Sequence, residues 1–222
     1  MNPLIDTAEL ERFLQSRNVK ILDATYGEGP SPQGIPGARD FDIDDIADTS
    51  SPLPHTAPSP EKFEEKMRGL GINAGDIVVV YDRHGFHMAA ARAWWMFRLF
   101  GHDDVRVLNG GLKSWSEEGR ALVQKPQGPP PRGNFCAGFR PHLIKHIDDI
   151  RRGGFTLLDA RSAERFEGTA PDPRPNIKSG HIPGSKNLPY ASLIDIKGKM
   201  KSEKVGTAIY LTGLGAEAML PV

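Results

Sequence analysis

Few side chains in this sequence are equipped for covalent chemistry. Its one cysteine, Cys136, lies in QKPQGPPPRGNFCAG between Phe135 and Phe139. No helix start follows it to lower its pKa, so it reads as a small, packed or partly exposed thiol. Asp82 closes the apolar run IVVVYD and opens RHGFHM, just before a strongly helical stretch. That is a place where backbone N–H groups and a helix dipole favour an anion or a nucleophile. His84 and His87 are spaced HxxH and His102 follows the same helix, but no Cys or acidic partner stands at ligand spacing. They read as loop or core histidines. His181, in GHIPG, reads as a turn-fixing hydrogen bonder, and Gly110-Gly111 as a turn without the Lys-Ser/Thr of a phosphate loop. Arg165 and Arg174 stand nine residues apart in RFEGTAPDPR, where two arginines on a Gly/Pro loop read, by themselves, as solvated surface.

The elements that must position these groups centre on 77–111. Ile77–Tyr81 is a short β-branched apolar run, suited to a parallel strand buried on both faces. Ala89–Phe100 is apolar all round and closed by Gly101, and Val105–Leu108 is a second buried strand. Strand, helix, strand is a βαβ unit with a right-handed crossover, which puts Asp82–Met88 at the carboxyl end of its first strand. Before it, Asp6 caps a short helix with Glu9 three residues on and Leu10, Phe13 and Leu14 as its stripe. VKILDA at Val19–Ala24 is a strand, and the proline-rich Asp48–Pro58 is irregular. Ser59-Pro60 starts a helix lined by Phe63, Met67 and Leu70. Leu112–Glu118 is a short helix with Trp115 inward, and Trp94 and Trp95 are core residues.

Gln124–Gly138 is a linker by composition, stiffened by its prolines. Beyond it the pattern restarts, with a helix over Leu143–Arg152 (Ile147 and Ile150 inward) and a strand over Thr156–Ala160. The restart is an internal repeat. ILDA at Ile21–Ala24 matches LLDA at Leu157–Ala160 at an offset of 136, and GIPGA at Gly34–Ala38 matches HIPGS at His181–Ser185 at an offset of 147. Two copies of one α/β domain joined by a linker account for this: 1–123, a linker over 124–140, and 141–222. Val19–Ala24, Ile77–Tyr81 and Val105–Leu108 should share one parallel sheet, with Thr156–Ala160 in another.

Twenty-eight basic and 28 acidic residues cancel, which excludes a global field for nucleic acid or an anionic membrane. The longest apolar run is far short of a membrane span, and MNPLIDTAELERF lacks a secretion pattern. One cysteine excludes internal disulfides and fits a reducing compartment, so the expectation is a cytoplasmic α/β protein.

The motifs LDA…IPGARDFDIDDIADTSSPLPH…SPEKF, VVVYD…WWMFRLFGH…LNGGLKSW and LLDAR…RFEGTAPDPR…GHIPGSKNLPY resemble the tandem-domain rhodaneses, the thiosulfate and 3-mercaptopyruvate sulfurtransferases, up to about Lys201. The resemblance implies two rhodanese-like domains, each a parallel sheet flanked by helices, with the catalytic cysteine loop in the second. A thiolate cradled by backbone N–H groups would take sulfur from a small anionic donor, mercaptopyruvate or thiosulfate, as a persulfide. It would then pass the sulfur to a thiol or cyanide acceptor, without cofactor or metal. It also implies that Arg165 and Arg174 bind the donor, guanidinium forks being suited to a carboxylate or sulfonate. The sequence departs from the family at three points. Asp82 occupies the first domain's counterpart of the cysteine, which is ordinary for that domain. Gly34 replaces the His of the first HIPG. No cysteine follows Lys201, and KSEKVGTAIYLTGLGAEAMLPV places Gly213 at best where the cysteine would be. The expectation is therefore a truncated second domain and a chain that is inactive. The alternative is a non-catalytic rhodanese-like protein that binds small anions or a partner.

Overall fold

The computed structural model describes residues 2–16, 18–85, 88–171 and 179–201. The chain begins with β1 (Leu4–Ile5), α1 (Thr7–Ser16), β2 (Val19–Asp23), β3 (Gln33–Gly34), β4 (Arg39–Asp40) and α2 (Ile43–Ile46). It continues through α3 (Pro60–Gly69), β5 (Ile77–Tyr81), α4 (Met88–Leu99), β6 (Val105–Leu108), α5 (Gly111–Glu117) and β7 (Val123–Gln124). After the second repeat begins come α6 (Ile147–Arg152), β8 (Leu158–Asp159), α7 (Ala163–Glu167) and β9 (Lys186–Asn187).

The predicted helix starts are made by the expected caps. Asp6 accepts from the Glu9 amide at 2.7 Å, and Ser59 accepts from the Lys62 amide at 3.2 Å with Pro60 in the first turn. The main sheet has the order β1-β6-β5-β2-β4, and every pair in it is parallel. All five residues of β5 are buried. Val78 and Val80 face one cluster, with Phe63 and Met67 of α3 and most of α4. Ile77, Val79 and Tyr81 face the other, with Leu10 of α1 and Trp115 of α5. Helices thus cover both faces, as a parallel sheet requires.

The second repeat has its own sheet, β8 paired with β9. It reproduces the β2–β4 edge of the first at the two sequence offsets. Leu22 and Asp23 pair with Arg39 and Asp40, and Leu158 and Asp159 pair with Lys186 and Asn187. The Phe41 amide donates to the Asp23 carbonyl at 2.8 Å, and the Leu188 amide to that of Asp159 at 2.9 Å. Gly37 and Gly184 turn the chain at φ 80° and 82°. The four-residue helix α2 is matched by a 3₁₀ turn over Tyr190–Leu193.

Three local expectations need correction. The proline-rich segment joins the repeats but is bound along its length to the first, as a strap. β7 pairs antiparallel with β3, the Gly133 and Phe135 amides donate to Arg68 and Ile72, and those of Gly138 and Arg140 donate to Phe100 and Leu99. Phe135 is only 1% exposed. The helix expected from Leu143 begins at Ile147, because Leu143 is drawn into the first core, where its carbonyl accepts from the Trp95 indole at 3.3 Å. Ile147 and Ile150 are half-buried rather than core. The strand expected over Thr156–Ala160 is confined to Leu158–Asp159, the two residues paired with β9. Among the described residues beyond 140, only Leu143 and Met200 are buried, and both belong to the first repeat's cluster.

Candidate functional site

The carboxyl ends of β2, β5 and β6 carry three loops, and Asp82 sits where the β5 and β6 loops meet. The residue is buried. Its backbone carbonyl accepts from the Leu112 amide at 2.9 Å, and its Oδ1 accepts from the Gly85 amide at 2.9 Å. Gly111, at φ 57°, lets the two loops approach: a Cβ there would lie 2.4 Å from the Asp82 carbonyl. Thr25 Oγ1 accepts from the Arg83 amide at 2.9 Å, tying the β5 loop to the β2 loop. The Gly85 N–H, which a bound anion would need, is thus held by the protein's own carboxylate. Chemically this arrangement is a staple, not a nucleophile.

A hairpin of the second repeat lies against this loop. Ile194 bridges Met200, and a Cβ on Gly198 would come within 3.3 Å of the Gly85 carbonyl. Met200 is buried, and its amide donates to Asn109 Oδ1 at 2.8 Å. Lys199 Nζ reaches Glu118 Oε1 at 2.9 Å. Glu118 also accepts from the Thr7 hydroxyl and from Arg120. The Thr7 hydroxyl first, then Lys199, bring its pKa down to about 2.

In the second repeat, Arg165 lies on α7, half-buried, one helical turn from the loop that follows β8. Asp159 binds Arg161 through both its oxygens, and Arg161 Nη2 also donates to the Gly180 carbonyl at 2.6 Å. Burial works against the charged form of Asp159, but Arg161 and, more weakly, Arg165 outweigh it and hold the carboxyl below its usual range. Arg174 lies outside the described residues, as does Gly213. His181 stacks on Phe166 at 3.8 Å between ring centroids and donates from Nδ1 to the Phe166 carbonyl at 2.8 Å, so its hydrogen bond ties the GHIPG segment to α7, while the turn itself is closed by the Ser185 amide on the Ile182 carbonyl.

The other candidates separate widely. Cys136 is exposed on the strap. His84 pairs with Glu28 at 3.0 Å, and His87 lies outside the described residues. His102 is buried against the Asp76 carbonyl, and burial pushes its pKa down. Among the described residues no group of His, Cys, Asp and Glu could hold a metal, and no helix is long and apolar enough to cross a membrane. Sequence reasoning missed the buried cluster of Asp23, Tyr81 and Lys125 beside the Asp82 loop. The signal was Asp23 itself, whose copy in the second repeat has an arginine two residues on where Asp23 has Thr25.

Residues 6–118 match the rhodanese-like domain family. The chain belongs to the rhodanese family. Escherichia coli (strain K12) 3-mercaptopyruvate sulfurtransferase is 38% identical over 192 residues, covering 85% of this chain and 67% of the relative. Arabidopsis thaliana thiosulfate/3-mercaptopyruvate sulfurtransferase 1, mitochondrial, is 38% identical over 226 residues, covering 87% of this chain and 59% of the relative. Rattus norvegicus thiosulfate sulfurtransferase is 35% identical over 225 residues, covering 93% and 75%. Among solved structures, Escherichia coli SseA, described as a 3-mercaptopyruvate sulfotransferase with the rhodanese fold, superposes with a TM-score of 0.81 at 32% identity, covering 94% of this chain and 82% of that one. Tum1 from Saccharomyces cerevisiae gives 0.81 at 30% identity, with coverages of 96% and 79%. The chain therefore spans roughly three-fifths to three-quarters of the length of these curated rhodaneses.

Proposed function

We propose that this rhodanese is a sulfurtransferase of the thiosulfate/3-mercaptopyruvate type by descent, and that this chain binds an anionic sulfur donor without turning it over. Its units are the two rhodanese-like domains and the strap between them, over 1–123, 124–140 and 141–222. Sulfur transfer in this mechanism needs a thiolate that attacks the donor's outer sulfur and carries it as a persulfide. The observation that carries the reading is the place of the sequence's one thiol. Cys136 stands exposed on the strap, while the first repeat's loop position is held by Asp82, whose carboxylate already binds the loop. A carboxylate neither attacks sulfane sulfur nor passes it on. Donor binding falls to Arg165 and Arg174, whose forks suit a carboxylate or sulfonate. The second reading, a non-catalytic protein that binds anions or a partner, is favoured by the same stapled loop.

The test is sulfide release with dithiothreitol and mercaptopyruvate, and thiocyanate formation with cyanide and thiosulfate, beside a Cys136→Ser variant. The expected result is no turnover above a protein-free control. Turnover abolished by Cys136→Ser would give the strap cysteine the catalytic role and overturn the reading. Turnover surviving that substitution would place the chemistry outside the persulfide mechanism. Thiosulfate binding by titration calorimetry should weaken in Arg165→Gln.

A further inference from the structure

Asp23, at the carboxyl end of β2, has a side chain only 2% exposed. Its Oδ1 is satisfied locally by the Thr25 amide at 3.1 Å and hydroxyl at 2.5 Å. Its Oδ2 accepts from Lys125 Nζ at 2.8 Å and from the Tyr81 hydroxyl at 3.3 Å, with Arg83 Nε at 3.8 Å. The ammonium comes from the strap and is itself 5% exposed. It donates also to Asp40 Oδ1 at 2.5 Å. Asp40 is 46% exposed and forms the open side of the cluster.

Gly34 forms the wall. A Cβ there would meet Tyr81 Oη at 2.7 Å and Lys125 Cε at 2.9 Å, although its backbone is outside the left-handed region. Glycine is therefore required by space and not by conformation. In the second repeat the same position is His181, whose ring turns onto Phe166. There Asp159 is neutralised by Arg161 two residues on, and Asn187 stands in place of Asp40. That copy needs no outside cation. The first copy has two carboxylates, one of them buried and with no cation two residues on, and a gap shaped for one narrow cationic stem. Two carboxylates this close, one out of water, are costly without a positive charge between them. An ammonium, with three donors at the end of an unbranched chain, fits that gap better than a planar guanidinium.

We propose that the first repeat contains an ammonium-binding site, built from Asp23, Asp40, Tyr81 and the space beside Gly34, and that Lys125 is its tethered ligand. Occupancy of the site seals the strap. The Lys125 amide donates to the Pro32 carbonyl at 2.9 Å, next to the β3–β7 pairs. A bound side chain thus holds this bridge closed at high effective concentration. Burial alone would raise the pKa of Asp23, but the Lys125 and Thr25 hydrogen bonds outweigh it and bring it below the usual carboxylate value, as expected of an occupied site.

The experiment is chemical rescue of Lys125→Ala. Hydrogen exchange at the residue 125 amide should quicken by about tenfold or more, since a charge-assisted contact that closes the bridge is lost. Added n-propylammonium chloride, which replaces the missing stem and charge, should restore protection saturably. Neither n-propanol nor sodium chloride at the same concentration should do so, and Asp23→Asn/Lys125→Ala should not respond. Unchanged exchange in Lys125→Ala, or equal rescue by n-propanol, would overturn the proposal. Where Lys125→Ala does not fold, Lys125→Met keeps the stem and removes the charge. Faster exchange there supports the site, and wild-type exchange refutes it.

Discussion

Replacing Phe135 with alanine tests whether the strap is part of the first repeat's core. The ring is 1% exposed and meets Phe63 edge-on at 5.6 Å, Phe97 at 6.0 Å and the His102 ring at 5.7 Å between centroids. Phe→Ala at a fully buried position costs about 3–5 kcal/mol, of which each good aromatic pair lost accounts for about 0.5–1.5 kcal/mol. Against a typical total of about 5–15 kcal/mol this is a large fraction. There are two ways to lose it. If the strap stays down, a cavity is left and the whole repeat is weakened. If the strap lifts, the amides of Gly133, Phe135, Gly138 and Arg140 lose their acceptors, but the sheet keeps its stability. Guanidinium unfolding read together with amide exchange separates the two. The expected result is the first: a loss of about 3–5 kcal/mol with an unchanged m-value, and exchange that quickens in β5 as well as at the strap. A loss below about 1 kcal/mol with strap protection intact would show that the ring contributes little and refute the packing argument.

Gly34→Ala should destabilise the protein by about 1–3 kcal/mol through overpacking, measured by urea unfolding, and cost less in a Lys125→Ala background, where the Cε contact is gone and only the Tyr81 Oη contact at 2.7 Å remains below 3 Å. Acid should loosen the contact between the repeats. The Glu118 carboxyl is lowered from its ordinary 4.5 to about 2 by the Thr7 hydroxyl and then by Lys199. Its contribution is therefore fully present above pH 4.5 and lost as the pH falls towards 2. Thermal midpoints should fall more steeply over that window in the native protein than in Glu118→Gln. Parallel curves would contradict the assignment.

What could be read from the sequence was local or repeated. The β5–α4–β6 unit declares itself through apolar runs whose lengths differ for strand and helix. Asp6 and Ser59 mark helix starts because a cap needs a particular side chain at a particular position. The two-offset repeat pointed to a second sheet begun by the Leu158 strand, but which segments pair with β2 and β8 became visible only in the structure. Contacts between distant parts of the chain leave no period to read. Phe135 sits in a segment whose Pro and Gly content describes a linker, and only the presence of a large aromatic there hints at an anchor. Lys125 and Asp23 lie 102 residues apart. The hairpin ending at Met200 could not be placed against the Asp82 loop from spacing alone. The Arg165 and Arg174 pair was legible only through a motif, because solvated and ligand-binding arginines share the same local pattern.

The first repeat's core is finished by residues made long after the rest of it. Its family match ends at Glu118, yet Phe135, Leu143 and Met200 all enter its main cluster. Met200 follows Glu118 by roughly 80 residues, which takes about 4–16 s to synthesise at 5–20 residues per second. Until the strap and Leu143 are made, the apolar surface around Trp95, Phe97 and Phe100 lacks Leu143, Phe135 and Phe139, and until Met200 is made the loops at Gly85 and Asn109 lack the hairpin. The order of synthesis thus leaves the first repeat's core incomplete until its later segments arrive, and a fragment cut at residue 118 lacks part of the core that the family boundary seems to enclose.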